Sequence, residues 1–114
     1  MMTLDQLLQD HCQALEGRPL AAAEVLKQLG VLPEWRHKDG SIQRSYAFRD
    51  YFDTIAFVNA LAWIVHREDH HPDLSVHYNR CVVAFNTHSV GGISRNDFIC
   101  AAKADALYAQ RPFV

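Results

Sequence analysis

Residues 50–72 read DYFDTIAFVNALAWIVHREDHHP, and this stretch decides the fold. Asp50 suits a helix N-cap, and Asp53 three positions on gives an acidic first turn that complements the helix dipole. From Ile55 to Val65 ten of eleven residues are apolar, Asn59 being the exception. That run is far short of the ~20 residues needed to span a bilayer. A helix that is apolar nearly all round must be covered on several sides. The sheet of one small subunit covers only one side, so the run predicts a second helix layer or a subunit interface. Phe57 and Trp63 are expected in the core. Pro72 disfavours helical geometry in the residue before it, so the helix is expected to end at His70 or His71.

Both flanks of this helix read as hairpins. Upstream, Trp35-Arg36-His37 and Ile42 to Phe48 are joined at Lys38-Asp39-Gly40, where Asp-Gly is a strong turn signal. In the second strand Ile42, Arg44, Tyr46 and Phe48 alternate with smaller residues. Downstream, Leu74, Val76 and Tyr78 form one strand, Asn79-Arg80 a turn, and Cys81 to His88 the next strand. Ser94 with Asp97 opens a last helix carrying Phe98, Ala101, Ala102 and Leu107. A further helix is predicted from about Leu20 to Leu29, stopped by Gly30. Ahead of it, residues 1–17 read as a mobile or docking arm with a short helix capped by Thr3 and Gln6. The order predicts an α+β fold: a two-layer sandwich, a four-stranded mostly antiparallel sheet with helices packed on one face.

Length confines this to one domain over residues 1–114. A content of 49% hydrophobic and 21% charged residues argues against general disorder. The net charge of −2 offers no basic excess for nucleic acid or anionic lipid, so neither a nucleic-acid partner nor a membrane is expected. Three cysteines without a CxxC pair form neither a disulfide framework nor a thiolate zinc site, and suit a reducing cytoplasm. The N-terminus carries acidic residues where a signal peptide has positive charge, which argues against export.

Chemistry concentrates in the histidines, five of seven falling between residues 66 and 88. Imidazole both gives and takes protons near neutrality. His66 and His70 are four apart and share a helical face. His71 is adjacent, and the exit at Pro72 can swing it to the far side of a ligand. His88 ends the following strand, where it can approach the pair. Asp97 is explained equally by a capping box with Ser94. Gly91-Gly92 is either a plain turn or a point where backbone approaches a ligand.

Taken together, His66-x3-His70-His71-Pro72, Tyr78, Thr87-His88 and Asp97 resemble the signature of the pterin-4a-carbinolamine dehydratases. Asp39-Gly40, Tyr46-x-Phe48-x-Asp50-Tyr51 and Phe57 upstream, and Gly91-Gly92-Ile93-Ser94 downstream, extend the similarity over about residues 30 to 108. The resemblance implies a lyase without a cofactor that dehydrates 4a-hydroxytetrahydrobiopterin to the quinonoid dihydropterin in tetrahydrobiopterin recycling. Its substrate would come from an aromatic amino acid hydroxylase, and its subunits would form a homodimer or homotetramer. By position His70, His71 and His88 fall on the family's catalytic histidines, and Asp69 and Asp97 on its acidic positions, with Pro72 supporting. Many members carry a glutamate where this chain has His66, which is left to orient His70 or relay a proton. Leu74 stands where some relatives carry an aromatic.

Two other classes compete. His66-x3-His70 has the spacing of zinc ligands on a helix, with His71 or His88 as a third, although Arg67 breaks the HExxH pattern. A dimerisation module built on residues 55–65 is the other, since some animal relatives partner a homeodomain transcription factor.

Overall fold

A computed structural model describes residues 1–111. The first hairpin joins β1 (Arg36–Lys38) to β2 (Ser41–Ala47). Asp39 and Gly40 both take positive φ, 52° and 77°, the conformation that a two-residue turn needs to match strand twist. The second hairpin pairs β3 (Asp73–Val76) with β4 (Arg80–Phe85). The sheet runs β1-β2-β4-β3 with every neighbour antiparallel. The predicted architecture is therefore present, with the two hairpins joined through the β2–β4 pairing.

Register decides which residues face the helices. Ile42 lies opposite Phe85, and Tyr46 opposite Cys81. These four are fully buried on one face, whereas Ser45 and Ser75 on the other are exposed. Three longer helices supply the second layer: α2 (Ala22–Leu29), α3 (Tyr51–Glu68) and α4 (Arg95–Ala109). In α3 the Asp50 carboxylate accepts the Asp53 amide at 2.9 Å, as its cap position predicts. Phe57, Leu61 and Val65 follow at helical spacing and are buried. Alanines 101, 102 and 104 are buried in α4, where small side chains let helices approach closely.

Three expectations need correction. Trp63 is not core: it is 70% exposed, on a face of α3 that also presents Phe52. The face follows from angle, since Trp63 lies two residues beyond the inward Leu61, a rotation of about 200°. The helix ends at Glu68, before His70, because Asp69 adopts the left-handed conformation (φ 52°, ψ 43°) that reverses the chain. Strand β4 stops at Phe85, so His88 begins a short 3-10 turn, His88–Val90, instead of ending a strand.

The N-terminal segment, expected as a mobile or docking arm, docks. Its helix α1 (Leu4–Gln9) packs against α4, and Leu7 is wholly buried. The Gln28 amide grips the Met2 backbone at both ends, at 2.9 and 2.8 Å. Asn96 does the same at Gln13, accepting its amide at 3.2 Å and donating to its carbonyl at 2.7 Å. A side-chain amide used this way imitates a neighbouring β-strand, a pairing the sequence pattern does not advertise.

Candidate active site

The end of α3 builds one wall. With Asp69 left-handed, its amide bonds to the His66 carbonyl and the His70 amide to the Val65 carbonyl, both at 3.1 Å. This is a left-handed C-terminal cap, and it closes the helix while turning the next residue inward. The His70 ring consequently stacks on Phe85, with centroids 5.9 Å apart and planes at 11°. Its side chain is 12% exposed.

The start of α4 meets it. Asp97 is fully buried and its two oxygens have separate duties. Oδ2 accepts the Ser94 amide, its part in the capping box, and also the Thr87 hydroxyl, each at 2.8 Å. Oδ1 lies 2.6 Å from His70 Nε2. The capping and chemical readings of Asp97 thus hold together, one on each oxygen. With donors filling Oδ2, the carboxylate acts as acceptor and Nε2 as donor, so in the neutral ring Nδ1 is the nitrogen that keeps a lone pair. The Nδ1 atom is not sealed in. Among the described residues the one buried side-chain nitrogen or oxygen without a hydrogen-bond partner is Asp53 Oδ2, which itself faces Arg49 Nε at 2.9 Å.

Thr87 reaches Asp97 because a small closed loop holds it. Its amide and carbonyl pair with Gly92 at 2.7 and 3.3 Å. A Cβ on Gly92 would stand 2.8 Å from Pro19 Cβ, so close packing on the N-terminal segment accounts for this glycine. Ser94 completes the chain of hydroxyls, 2.6 Å from Thr87.

His70, His71 and His88 line one open hollow of about 310 Å³, with Asp69 at its edge. That volume lies at the lower end of the range for small-molecule sites. His71 and His88 are exposed there. His66 is exposed and does not line the hollow, and Pro72 acts at the chain's exit from α3. Among the described residues no three histidines, cysteines or acids stand together as metal ligands. No helix among them is long and apolar enough to cross a membrane.

Sequence reasoning missed several contributors. Phe85 is legible as an inward strand residue but not as the platform for His70. Cys12, Gln13, Ala14 and Leu15 of the N-terminal segment also line the hollow. Glu68 lines it as well, its side chain 6% exposed. It accepts the Cys12 amide at 2.8 Å and faces His11 Nδ1 at 2.9 Å and Lys103 Nζ at 3.4 Å. Burial alone would raise its pKa, but these donors together hold it below the usual carboxylate value. Cys100 lies 3.5 Å from Cys12, sulfur to sulfur. Its thiol is pushed far up, first by that contact and then by burial, so it supplies no thiolate.

An imidazole held by a buried carboxylate shares one hollow with two more imidazoles on a small α+β sandwich. The comparisons give the particular class. A sequence model described as "Pterin 4 alpha carbinolamine dehydratase" matches residues 18–107. A Stenotrophomonas maltophilia protein provisionally named pterin-4-alpha-carbinolamine dehydratase is 52% identical over 116 residues, covering 98% of this chain and all of its own. One from Nitrosospira multiformis with the same provisional name is 47% identical over 108 residues, covering 93% of this chain and 96% of its own. A crystal structure from Brucella melitensis, titled as a transcriptional coactivator/pterin dehydratase, superposes with a TM-score of 0.76 at 31% identity. It covers 80% of this chain and 99% of that one. The chain belongs to the pterin-4-alpha-carbinolamine dehydratase family, a family of hydro-lyases.

Proposed function

We propose that this protein removes water from a 4a-hydroxytetrahydropterin, giving the quinonoid dihydropterin. The observation that carries the reading is His70, fixed through Nε2 on Asp97 and lining a hollow that His71 and His88 also line. In the reaction the N5–H bond and the C4a–OH bond break, and a C4a=N5 double bond forms. His70 Nδ1 takes the N5 proton, and Asp97 stabilises the imidazolium without itself accepting the proton. His71, exposed across the chain reversal, gives a proton to the departing hydroxyl, which leaves as water; His88 binds the substrate or serves as the second acid. One proton is taken and one given, no electrons change hands, and the step as written needs no cofactor.

The reading places the enzyme in tetrahydrobiopterin recycling, downstream of an aromatic amino acid hydroxylase that releases the carbinolamine. Three free thiols suit a reducing compartment, so the cytoplasm is the proposed setting. Self-association is proposed through the exposed face of α3, where Phe52 and Trp63 are 80% and 70% exposed. Large apolar side chains left in water on one helix face support an interface between copies.

A stopped assay of 4a-hydroxytetrahydropterin decay tests the reaction. His70→Ala should lower kcat by roughly 10²- to 10⁴-fold, the usual contribution of one general acid or base. A variant with parental turnover would remove His70 from the mechanism.

A further inference from the structure

Part of the hollow's lining, Cys12, Gln13, Ala14 and Leu15, lies outside the matched stretch 18–107. It is fixed at two points. Glu68 holds the Cys12 amide at 2.8 Å, and Asn96 holds Gln13 through both its amide and carbonyl. Both anchors are buried. Each is placed by the elements that place the chemistry: Glu68 is the last residue of α3, two before His70, and Asn96 adjoins Asp97 in α4. The elements that place the imidazoles therefore also place this part of the lining.

Beyond the second anchor the backbone changes character. The amides and carbonyls of Ala14 and Leu15 make no hydrogen bond within the described residues, although both residues line the hollow. Ala14 is exposed and Leu15 half-buried. A held, irregular segment with free donors and acceptors, beside one apolar side chain, fits a planar guest with polar edges. Chain order separates its duty from proton transfer, since none of residues 12–15 has a side chain suited to acid–base work at neutral pH except a thiol.

We infer that residues 12–15 are a substrate-binding wall of the hollow, and that Asn96 is the positioning residue that sets its distance from the histidines. This inference rests on the pterin reading above. The wall governs how firmly the bicycle is held and leaves the proton transfers to the imidazoles, so its loss acts on KM.

The test uses the full chain and its Ala14→Trp and Asn96→Ala variants, with carbinolamine decay and amide hydrogen exchange as readouts and 7,8-dihydropterin as the probe. Both variants should raise KM about tenfold while kcat stays within about threefold of the parent. In the parent, the probe should slow exchange at Ala14 and Leu15, and Asn96→Ala should abolish that protection. Ala14 is exposed, so its variant decides the matter even if loss of Asn96 impairs folding. A parental KM in Ala14→Trp, or protection by the probe at Thr87 and His88 with none at residues 14 and 15, would overturn the wall and leave the reaction standing. A parent chain that neither consumes the carbinolamine nor binds the probe would overturn the reaction and the wall with it.

Discussion

Asp97 turns one carboxylate to two uses, and its chemistry predicts what an amide would do there. Oδ2 receives two donors, the Ser94 amide and the Thr87 hydroxyl, so the oxygen of an asparagine must occupy that position. The NH₂ would then face His70, forcing Nε2 to accept and placing the proton on Nδ1, the wrong nitrogen for a base. Asp97→Asn should therefore keep the fold and lower kcat by roughly 10²- to 10⁴-fold, by the tautomer argument known from catalytic triads. A near-parental rate with an unchanged unfolding midpoint would show that the carboxylate does not orient the ring. Glu68 makes a separate prediction. Its pKa is lowered on folding, so its contribution is fully present above the unfolded value of about 4.3 and fades as pH falls through the lower folded value. Urea midpoints taken from pH 6 to pH 3 should fall less steeply in Glu68→Gln than in the parent. Parallel slopes would contradict this. Neither prediction could be made from spacing alone, since Glu68 acts through His11 and Cys12, more than fifty positions away in the chain.

At the scale of elements, α3 carries most of what local sequence determines. Asp50 caps it through the Asp53 amide, and Thr54 Oγ1 ties its first turn to the Asp50 and Tyr78 carbonyls at 2.8 and 3.1 Å. Asp50→Ala should cost about 1 kcal/mol in chemical denaturation, the usual loss for an N-cap. A loss within error of zero would mean that the Thr54 contacts hold the turn without the cap. The other end of the helix is where local reasoning overshot. Pro72 sets the last position a helix could reach, but Asp69 ends it earlier, and no steric rule demands that of an aspartate. On β2 and α4, Asp105 gathers Trp35 Nε1 at 3.0 Å, Arg44 at 2.7 Å and the Tyr46 hydroxyl at 2.5 Å. Burial, reinforced by the Asp105 charge, pushes the Tyr46 hydroxyl far above its ordinary value, so it stays a neutral donor that locks helix to sheet. The alternation Ile42, Arg44, Tyr46 was legible as one face, whereas the carboxylate that completes it sits sixty residues on.

For the whole molecule, the question is what covers the apolar surface left over. Helix α4 covers one flank of α3, but Phe52 and Trp63 stay exposed among the described residues, as do Leu74 and Val76 of the edge strand β3. Trp63→Lys should shift the protein toward smaller species in sedimentation velocity while leaving the helical circular dichroism unchanged. Unaltered sedimentation would place any contact between copies elsewhere. The strand alternation, the caps and the Asp-Gly turn were readable because each depends on neighbours a few residues apart, and they determined the sandwich; the candidate set His70, His71, His88 and Asp97 came from the histidine spacing and the family resemblance. Only the tertiary structure decided that Trp63 faces outward, that Phe85 carries the His70 ring, and that residues 12–15 close the hollow through Glu68 and Asn96. Those choices depend on contacts between distant segments, whose strength comes from burial and from hydrogen-bond geometry in three dimensions, and a linear pattern does not encode which of many compatible partners will meet.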